Sequence, residues 1–282
     1  MNPTNINLVI NIFEIDYNDK KEIGKTGEYI SAIGLGTWAI RDYNRAFKTY
    51  SYALEHGIDN IDTAEMYDNG KAEEFVGKLI DYIGRENVFI TIKMLPHHLV
   101  SQNEVLKAAR SSLRRLNVSY VDLFLIHWPN PSLPIEIQIR NFEIIYLNGL
   151  SRYIGVSNFD LIDLEKAISY TRKAEIVVNQ VHYSVLERSI EEYLLPYYIK
   201  KNITIQAYTP LEKGHVRHLR VLKELSRKNN GTPIQIALNY IISHPRVIAI
   251  PKAEKMDHLI EIIGSMGWRL SLEDLMYIKQ HV

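Results

Sequence analysis

Between residues 33 and 265 the chain repeats one pattern: a short apolar run, then a longer amphipathic segment. The pairs are 33–37 with 42–56, 59–62 with 70–83, 88–93 with 101–117, and 121–127 with 134–149. Four more follow: 153–157 with 160–172, 176–180 with 187–200, 203–207 with 216–229, and 247–250 with 255–265. Runs such as Val121-Asp122-Leu123-Phe124-Leu125-Ile126 are almost continuously apolar, which suits strands covered on both faces. The longer segments place apolar residues three and four apart, as Val105, Ala108, Ala109, Leu113 and Leu116 do, which is the spacing of one helix face. Eight strand–helix units in strict alternation predict an α/β fold, a parallel sheet closed into a (β/α)8 TIM barrel. An open doubly wound sheet is the alternative. It lacks support, because Gly34-Leu35-Gly36-Thr37-Trp38-Ala39 has no third glycine to complete a dinucleotide-binding turn.

The ends of the chain add less regular pieces. Two short extended runs between 22 and 33 flank Gly24-Lys25-Thr26-Gly27 and read as a hairpin. Two helix-like segments, 232–243 and 272–281, interrupt or follow the eighth unit. Residues 1–18 alternate weakly at Ile6, Leu8, Ile10 and Ile12, and are read as a surface extension. That leaves 19–282 as a single domain, within the size range of such barrels.

Charge and composition exclude several classes. Lys+Arg and Asp+Glu both number 33, so nothing in the overall charge points to nucleic acid or an anionic membrane. The chain has no cysteine, which removes disulfides, thiolate metal sites and Cys nucleophiles together. No metal cluster is expected. No run approaches the ~20 apolar residues of a membrane helix, and no signal-peptide pattern opens the chain. The expectation is a cytoplasmic monomer acting on small molecules.

In a barrel of this kind the chemistry sits where the strands end. The rim residues are Gly36, Thr37 and Trp38 after the first run, Asp62 with Glu65 and Tyr67 after the second, and Lys93 at the third. His127 and Trp128 follow the fourth, Ser157 and Asn158 the fifth, Gln180 with His182 and Tyr183 the sixth, Tyr208 the seventh, and Lys252 the eighth. Taken singly, each has a bland explanation: Asp62 as a turn residue, Lys93 as a solvated side chain, Tyr67 as packing, His127 as a core histidine. Together they fall at one end of successive strands. A phenol with a free pKa of roughly 10 is a poor acid, and a nearby ammonium lowers that value. A carboxylate beside the lysine keeps it charged and aimed, while a histidine beside the phenol orients a carbonyl oxygen. Such a set protonates an oxygen that gains negative charge, as hydride addition to a ketone or aldehyde requires. None of these side chains supplies a hydride, so a nicotinamide cofactor is expected.

These segments resemble the aldo-keto reductases over residues 20–282. The resemblance rests on Gly34-Leu35-Gly36-Thr37-Trp38, Ile61-Asp62-Thr63-Ala64-Glu65-Met66-Tyr67, Thr91-Ile92-Lys93-Met94 and Leu125-Ile126-His127-Trp128-Pro129. It continues in Tyr153-Ile154-Gly155-Val156-Ser157-Asn158-Phe159, Asn179-Gln180-Val181-His182-Tyr183, Gln206-Ala207-Tyr208-Thr209-Pro210-Leu211 and Ile250-Pro251-Lys252. The resemblance implies Tyr67 as general acid/base, with Asp62, Lys93 and His127 completing the catalytic set. It implies Ser157, Asn158 and Gln180 on the nicotinamide carboxamide, Tyr208 stacked on the ring, and Lys252 on the pyrophosphate or the 2′-phosphate. Gly36, Thr37, Asp62, Leu211, Lys255 and His258 join the expected cofactor contacts, and Trp38, Tyr67, His127 and Trp128 the substrate contacts. It also implies that the hairpin closes the barrel floor, and that the helices at 216–229 and 272–281 are accessory elements.

The chain departs from the family at the adenosine end. After Lys252 the family commonly has a small polar residue and then an Arg; here Ala253-Glu254-Lys255-Met256-Asp257-His258 follows, with no Arg through 265. Glu254 and Asp257 repel a phosphate, while Lys255 and His258 attract one. NADP(H) is therefore expected to be preferred, with NAD(H) usable. The loops around the substrate are short, which implies an open site. Two other functions fit a barrel with these residues: a nucleotide-binding regulatory subunit, and a lyase using Lys93 as a Schiff-base nucleophile.

Overall fold

In the computed structural model, which describes residues 14–282, eight short parallel strands do run in unbroken succession. The weak alternation at 6–12 lies outside the described residues. A two-stranded antiparallel hairpin comes first, with β1 at Lys20–Glu22 and β2 at Tyr29–Ser31. The barrel strands are β3 (Leu35–Gly36), β4 (Asn60–Asp62), β5 (Phe89–Met94), β6 (Val121–Ile126), β7 (Ser151–Ser157), β8 (Ile176–His182), β9 (Thr204–Tyr208) and β10 (Val247–Ala249). Each pairs in parallel with its neighbour in sequence. The ring closes between first and last: Gly34 N donates to Ala249 O at 2.8 Å and Ala249 N to Ala32 O at 2.9 Å. Every residue of β5 and β6 is buried, as strands covered on both faces require. At Gly155 in β7 a Cβ would lie 2.6 Å from Val178 O, so only glycine lets β7 and β8 approach at that irregular step in their register.

Helices alternate with the strands on the outside. They are α1 (Tyr43–Glu55), α2 (Lys71–Ile83), α3 (Gln102–Leu116), α4 (Ile135–Phe142), α5 (Ile144–Leu147), α6 (Leu161–Tyr170), α7 (Leu194–Lys201), α8 (Arg220–Lys228), α9 (Pro233–Ile242), α10 (Met256–Ile263) and α11 (Leu272–His281). Several starts are set by local chemistry. Asp42, Ser101, Asp160 and Ser271 accept a backbone N–H three residues on, and Thr232 forms a reciprocal capping box with Gln235 ahead of Pro233.

Three boundaries differ from the sequence pattern. The segment expected at 134–149 breaks at Glu143, whose Oε1 accepts from the backbone N–H groups of Arg172, Lys173 and Ala174 at 2.6–2.9 Å. The segment expected at 187–200 begins as a short 3₁₀ turn over Ser189–Glu191 and becomes α-helical only at Leu194. The one expected at 216–229 starts at Arg220, because a tight turn over Glu212–His218 comes first. Eight residues of α9 are buried, and α8 is the more peripheral helix of that pair.

The hairpin seals one end of the barrel. Ile23 and Ile30 pack against Phe89, Leu123, Val177 and Ile248. Gly24 N donates to Thr204 Oγ1 at 2.9 Å, and Arg246 Nη1 donates to Gly24 O at 2.6 Å. Residues 16–19 run along the same end: Asp16 N reaches Ser243 O at 2.9 Å, and Arg269 donates to the carbonyls of Asp16 and Asn18. With the floor closed, the strand C-termini form the open end. Ile23→Ala removes a fully buried side chain from this plug, and is expected to cost about 2–5 kcal/mol. Urea unfolding checks it, and a loss below about 1 kcal/mol would mean the plug contributes no packing.

Candidate active site

Among the described residues, the polar groups at the mouth are organised by one buried ion pair. Lys93, near the end of β5, is wholly buried, and Asp62, the last residue of β4, is nearly so. Lys93 Nζ lies 2.5 Å from Asp62 Oδ1. An unpaired ammonium at that depth would cost several kcal/mol. Asp62 Oδ2 accepts from Gln180 Nε2 at 2.7 Å, which also donates to Gln206 Oε1 at 3.0 Å. Gln206 Nε2 then reaches Thr91 Oγ1 at 3.2 Å. Sequence reasoning passed over Gln206 and Thr91. The signal was present: each is a polar residue inside an apolar run, and Gln206 is in register with Gln180.

Tyr67 stands on the loop after β4. The three residues after it are left-handed, Asp68 at φ 47°, Asn69 at φ 53° and Gly70 at φ 90°. Asp, Asn and Gly are the types that tolerate that conformation. Gly70 is also required by space, since a Cβ there would meet Arg115 Cδ at 2.6 Å. The loop is held from below, where Glu65 Oε1 accepts from Leu95 N at 2.6 Å. It delivers the Tyr67 ring with its centroid 5.1 Å from Lys93 Nζ and 5.9 Å from the edge-on ring of His127.

The protonation states follow from burial and charge. Burial raises the Tyr67 phenol above its ordinary 10.0; the Lys93 charge pulls it back without cancelling that effect. Lys93 lowers the phenol as its place in the sequence implied, but desolvation, which the sequence does not show, is the larger effect and reverses the expected net shift. Burial, the largest influence, would by itself depress Lys93; the charges and hydrogen bonds of Asp62 and Tyr67 together outweigh it, and the ammonium is retained. His127 is driven down to about 3, by burial and then by Lys93. Its Nδ1 is buried without a partner among the described residues. The site thus presents a protonated phenol, an ammonium–carboxylate pair and a neutral imidazole.

The expected carboxamide-binding residues come together on the far side. Ser157 Oγ donates to Gln180 O at 2.9 Å, Asn158 Nδ2 to His127 O at 3.0 Å, and Tyr208 OH to Asn158 Oδ1 at 2.9 Å. Asn158 is left-handed at φ 60°. Gln180 Oε1 keeps no donor among the described residues, so it is available to a ligand amide. A group the sequence argument left without a role, His182, stacks on Tyr208 at 5.4 Å and places Nε2 2.7 Å from Glu212 Oε1. Gly36 sits at the barrel closure, where a Cβ would lie 2.7 Å from Ile250 O, and Thr37 ties β3 to β4, its Oγ1 donating to Asp62 O at 3.0 Å.

Toward solvent a cleft of about 320 Å³ is lined by Trp38, Ile40, Tyr43, Met66 and Tyr67 among others. Trp38 is half exposed, with Lys213 Nζ 5.6 Å from its ring, and Trp128 packs beside His127 at 4.6 Å. Leu211 is half-buried just before the Glu212–His218 turn. Lys252, Lys255 and His258 are all exposed beside the start of α10. Lys252 is tied to Glu254 Oε1 at 2.6 Å and to Ala39 O at 2.9 Å. Arg217, from the turn after β9, lies 3.7 Å from Glu261, so a cation the local sequence lacks arrives from another element.

The chain matches the sequence model of the Aldo/keto reductase family over residues 32–282. It is 34% identical over 260 residues to methylglyoxal reductase YeaE of Escherichia coli, covering 89% of this chain and 90% of that protein. It is 35% identical over 246 residues to a glyoxal reductase of Bacillus subtilis, covering 86% and 85%. Among solved structures, a thermostable aldo-keto reductase bound to the inhibitor epalrestat superimposes with a TM-score of 0.88 at 39% identity, over 93% of this chain and 99% of that one. An aldo/keto reductase from Klebsiella pneumoniae, in complex with NADP and acetate, gives 0.85 at 31% identity, over 93% and 94%.

The histidine states carry a stability consequence. Burial also holds His244, behind β8, at about 4. Unfolding exposes both imidazoles to protonation near 6.5, so below that pH the unfolded chain binds protons that the native state refuses. Stability therefore falls as pH drops from 6.5 to 5, above the carboxylate range, by on the order of 1–2 kcal/mol per histidine. Urea midpoints across that window are expected to decline, and less steeply in His244→Gln. A flat profile would contradict the neutral assignments.

Proposed function

The chain belongs to the aldo/keto reductase family, and on that premise we propose that it reduces aldehydes and ketones with NAD(P)H, Tyr67 giving the proton. The observation that carries this reading is the protonated Tyr67 phenol set between the buried Lys93–Asp62 pair and the neutral imidazole of His127. When bound, a nicotinamide cofactor supplies the hydride. The donor set fits such a group: Gln180 Oε1 and Ser157 suit a carboxamide, and Tyr208 offers a partly exposed ring. As the substrate oxygen gains negative charge, Tyr67 OH transfers its proton to it. Lys93 then stabilises the phenolate left behind, and Asp62 keeps Lys93 charged and in place. His127, neutral, orients the carbonyl oxygen by hydrogen bonding and takes no net charge. Lys93 held as a salt-bridged ammonium is a poor nucleophile, which counts against a Schiff-base lyase.

The named activities of the relatives make small α-oxoaldehydes such as methylglyoxal and glyoxal our first candidate substrates. The exposed Trp38 and half-buried Trp128 at an open mouth are compatible with a broader range of carbonyls. Lys252, Lys255 and His258 are assigned to the adenosine end, with NADP(H) preferred and NAD(H) usable; solved relatives hold NADP and NADPH. We assign the reductase domain to residues 19–282, with 1–18 an extension, and take the protein to act as a cytoplasmic monomer without a nucleic-acid partner. No helix among the described residues is long and apolar enough to cross a membrane.

Loss of reduced-nicotinamide absorbance with methylglyoxal and a panel of aldehydes tests the activity. Tyr67→Phe is expected to lower kcat by about 10²-fold or more while nucleotide binding persists. Near-native turnover in a variant that still binds nucleotide would remove Tyr67 from the mechanism. Tyr67 acts when protonated, so activity is lost as pH rises through its pKa, and burial places that limb above the ordinary phenol range. Lys93→Met should lower kcat sharply and shift the limb further upward. An unchanged rate and pH profile would mean that Lys93 has no influence on the phenol.

A further inference from the structure

The adenosine end carries a charge arrangement that the function above does not use. Glu254 is one of its better-buried groups, with its side chain 13% exposed. Its Oε1 accepts from Lys252 Nζ at 2.6 Å, and its Oε2 from Asp42 N at 3.2 Å, just ahead of α1. Its backbone carbonyl accepts from Thr49 Oγ1 at 3.2 Å, so the residue is fixed at both ends. Lys252 also donates to Ala39 O, which ties the loop after β3 to the loop after β10. Arg217, from the turn after β9, already faces Glu261 at 3.7 Å. Of the cations assigned to a 2′-phosphate, Lys252 is in an ion pair, and Lys255 and His258 are in none among the described residues.

We propose that Glu254 is a specificity-determining residue that narrows the preference for the 2′-phosphorylated cofactor by holding Lys252 as a neutralised pair. This inference rests on the reading of the site as a nicotinamide-cofactor site. A 2′-phosphate carries close to two negative charges and gains from cations that are free to meet it. Contact with Lys252 requires it either to displace Glu254 or to sit beside a carboxylate, and both outcomes weaken binding. A nucleotide with a free 2′-hydroxyl meets no such repulsion, since a carboxylate accepts a hydrogen bond from a hydroxyl. Glu254 therefore penalises one cofactor and not the other.

The test is calorimetric binding of adenosine 2′,5′-bisphosphate and of 5′-ADP to the full chain at low salt. Glu254→Gln keeps an oxygen for the Asp42 N–H while removing the charge. It is expected to tighten the 2′-phosphorylated ligand about fivefold to tenfold, the scale of one partly screened charge–charge contact, and to change 5′-ADP by less than about twofold. The gain should shrink as salt rises and be markedly smaller when Lys252→Met is added, since only the direct repulsion by Glu254 is then left to relieve. Equal shifts for both ligands, no shift in either, or a gain undiminished by Lys252→Met would each overturn the inference. A native chain that binds neither nucleotide would overturn the cofactor reading itself, and this inference with it.

Discussion

The buried pair between Lys93 and Asp62 is the constraint on which the rest of the site depends. An ammonium with no solvent contact is tolerable only beside a carboxylate, and breaking such a pair typically costs about 3–5 kcal/mol. The lysine therefore keeps its proton, and that charge acts on both neighbours. It pulls the Tyr67 phenol down against the effect of burial, and it pushes His127 further from protonation. Asp62 carries the constraint across the barrel through Gln180 and Gln206 to Thr91, so four strands are joined by one polar chain in an otherwise apolar interior.

Left-handed backbone occurs at both ends of the barrel, and part of it shapes the open mouth. Non-glycine residues with positive φ include Ala39, Asp68, Asn69, Asn158, Thr209, Glu212 and Lys213, all in loops that follow strand C-termini. Asp and Asn adopt that conformation readily, whereas Ala, Thr, Glu and Lys do so at a cost of order 1–3 kcal/mol each. The regular strands and the plugged floor make this strain sustainable. Its effect is to place Tyr67 over Lys93, to aim the Asn158 amide between His127 and Tyr208, and to bring Glu212 back onto His182.

The order of strands and helices was legible in the chain because burial on two faces forces near-continuous apolarity, and burial on one face forces a helical period. The rim groups Asp62, Lys93 and His127 were legible because each ends or follows such a run, and Tyr67 because it stands in the loop directly after one. Helix interruptions were not. Glu143 stands between α4 and α5 and its side chain accepts from three backbone N–H groups about 30 residues away, a contact no local period encodes.

Sequence alone thus determined the architecture, the open end and the residue types delivered there, since all three follow from short-range patterning repeated eight times. Tertiary structure decided how those groups are charged and paired. The phenol's net shift is set by how deeply the loop buries it, which a neighbouring lysine in the sequence does not reveal. Lys252, expected to meet a phosphate, is held by Glu254, and Arg217 faces Glu261 of α10 from the turn after β9, pairings that no local period encodes. Electrostatic strength depends on distance and desolvation, and those are properties of the folded chain.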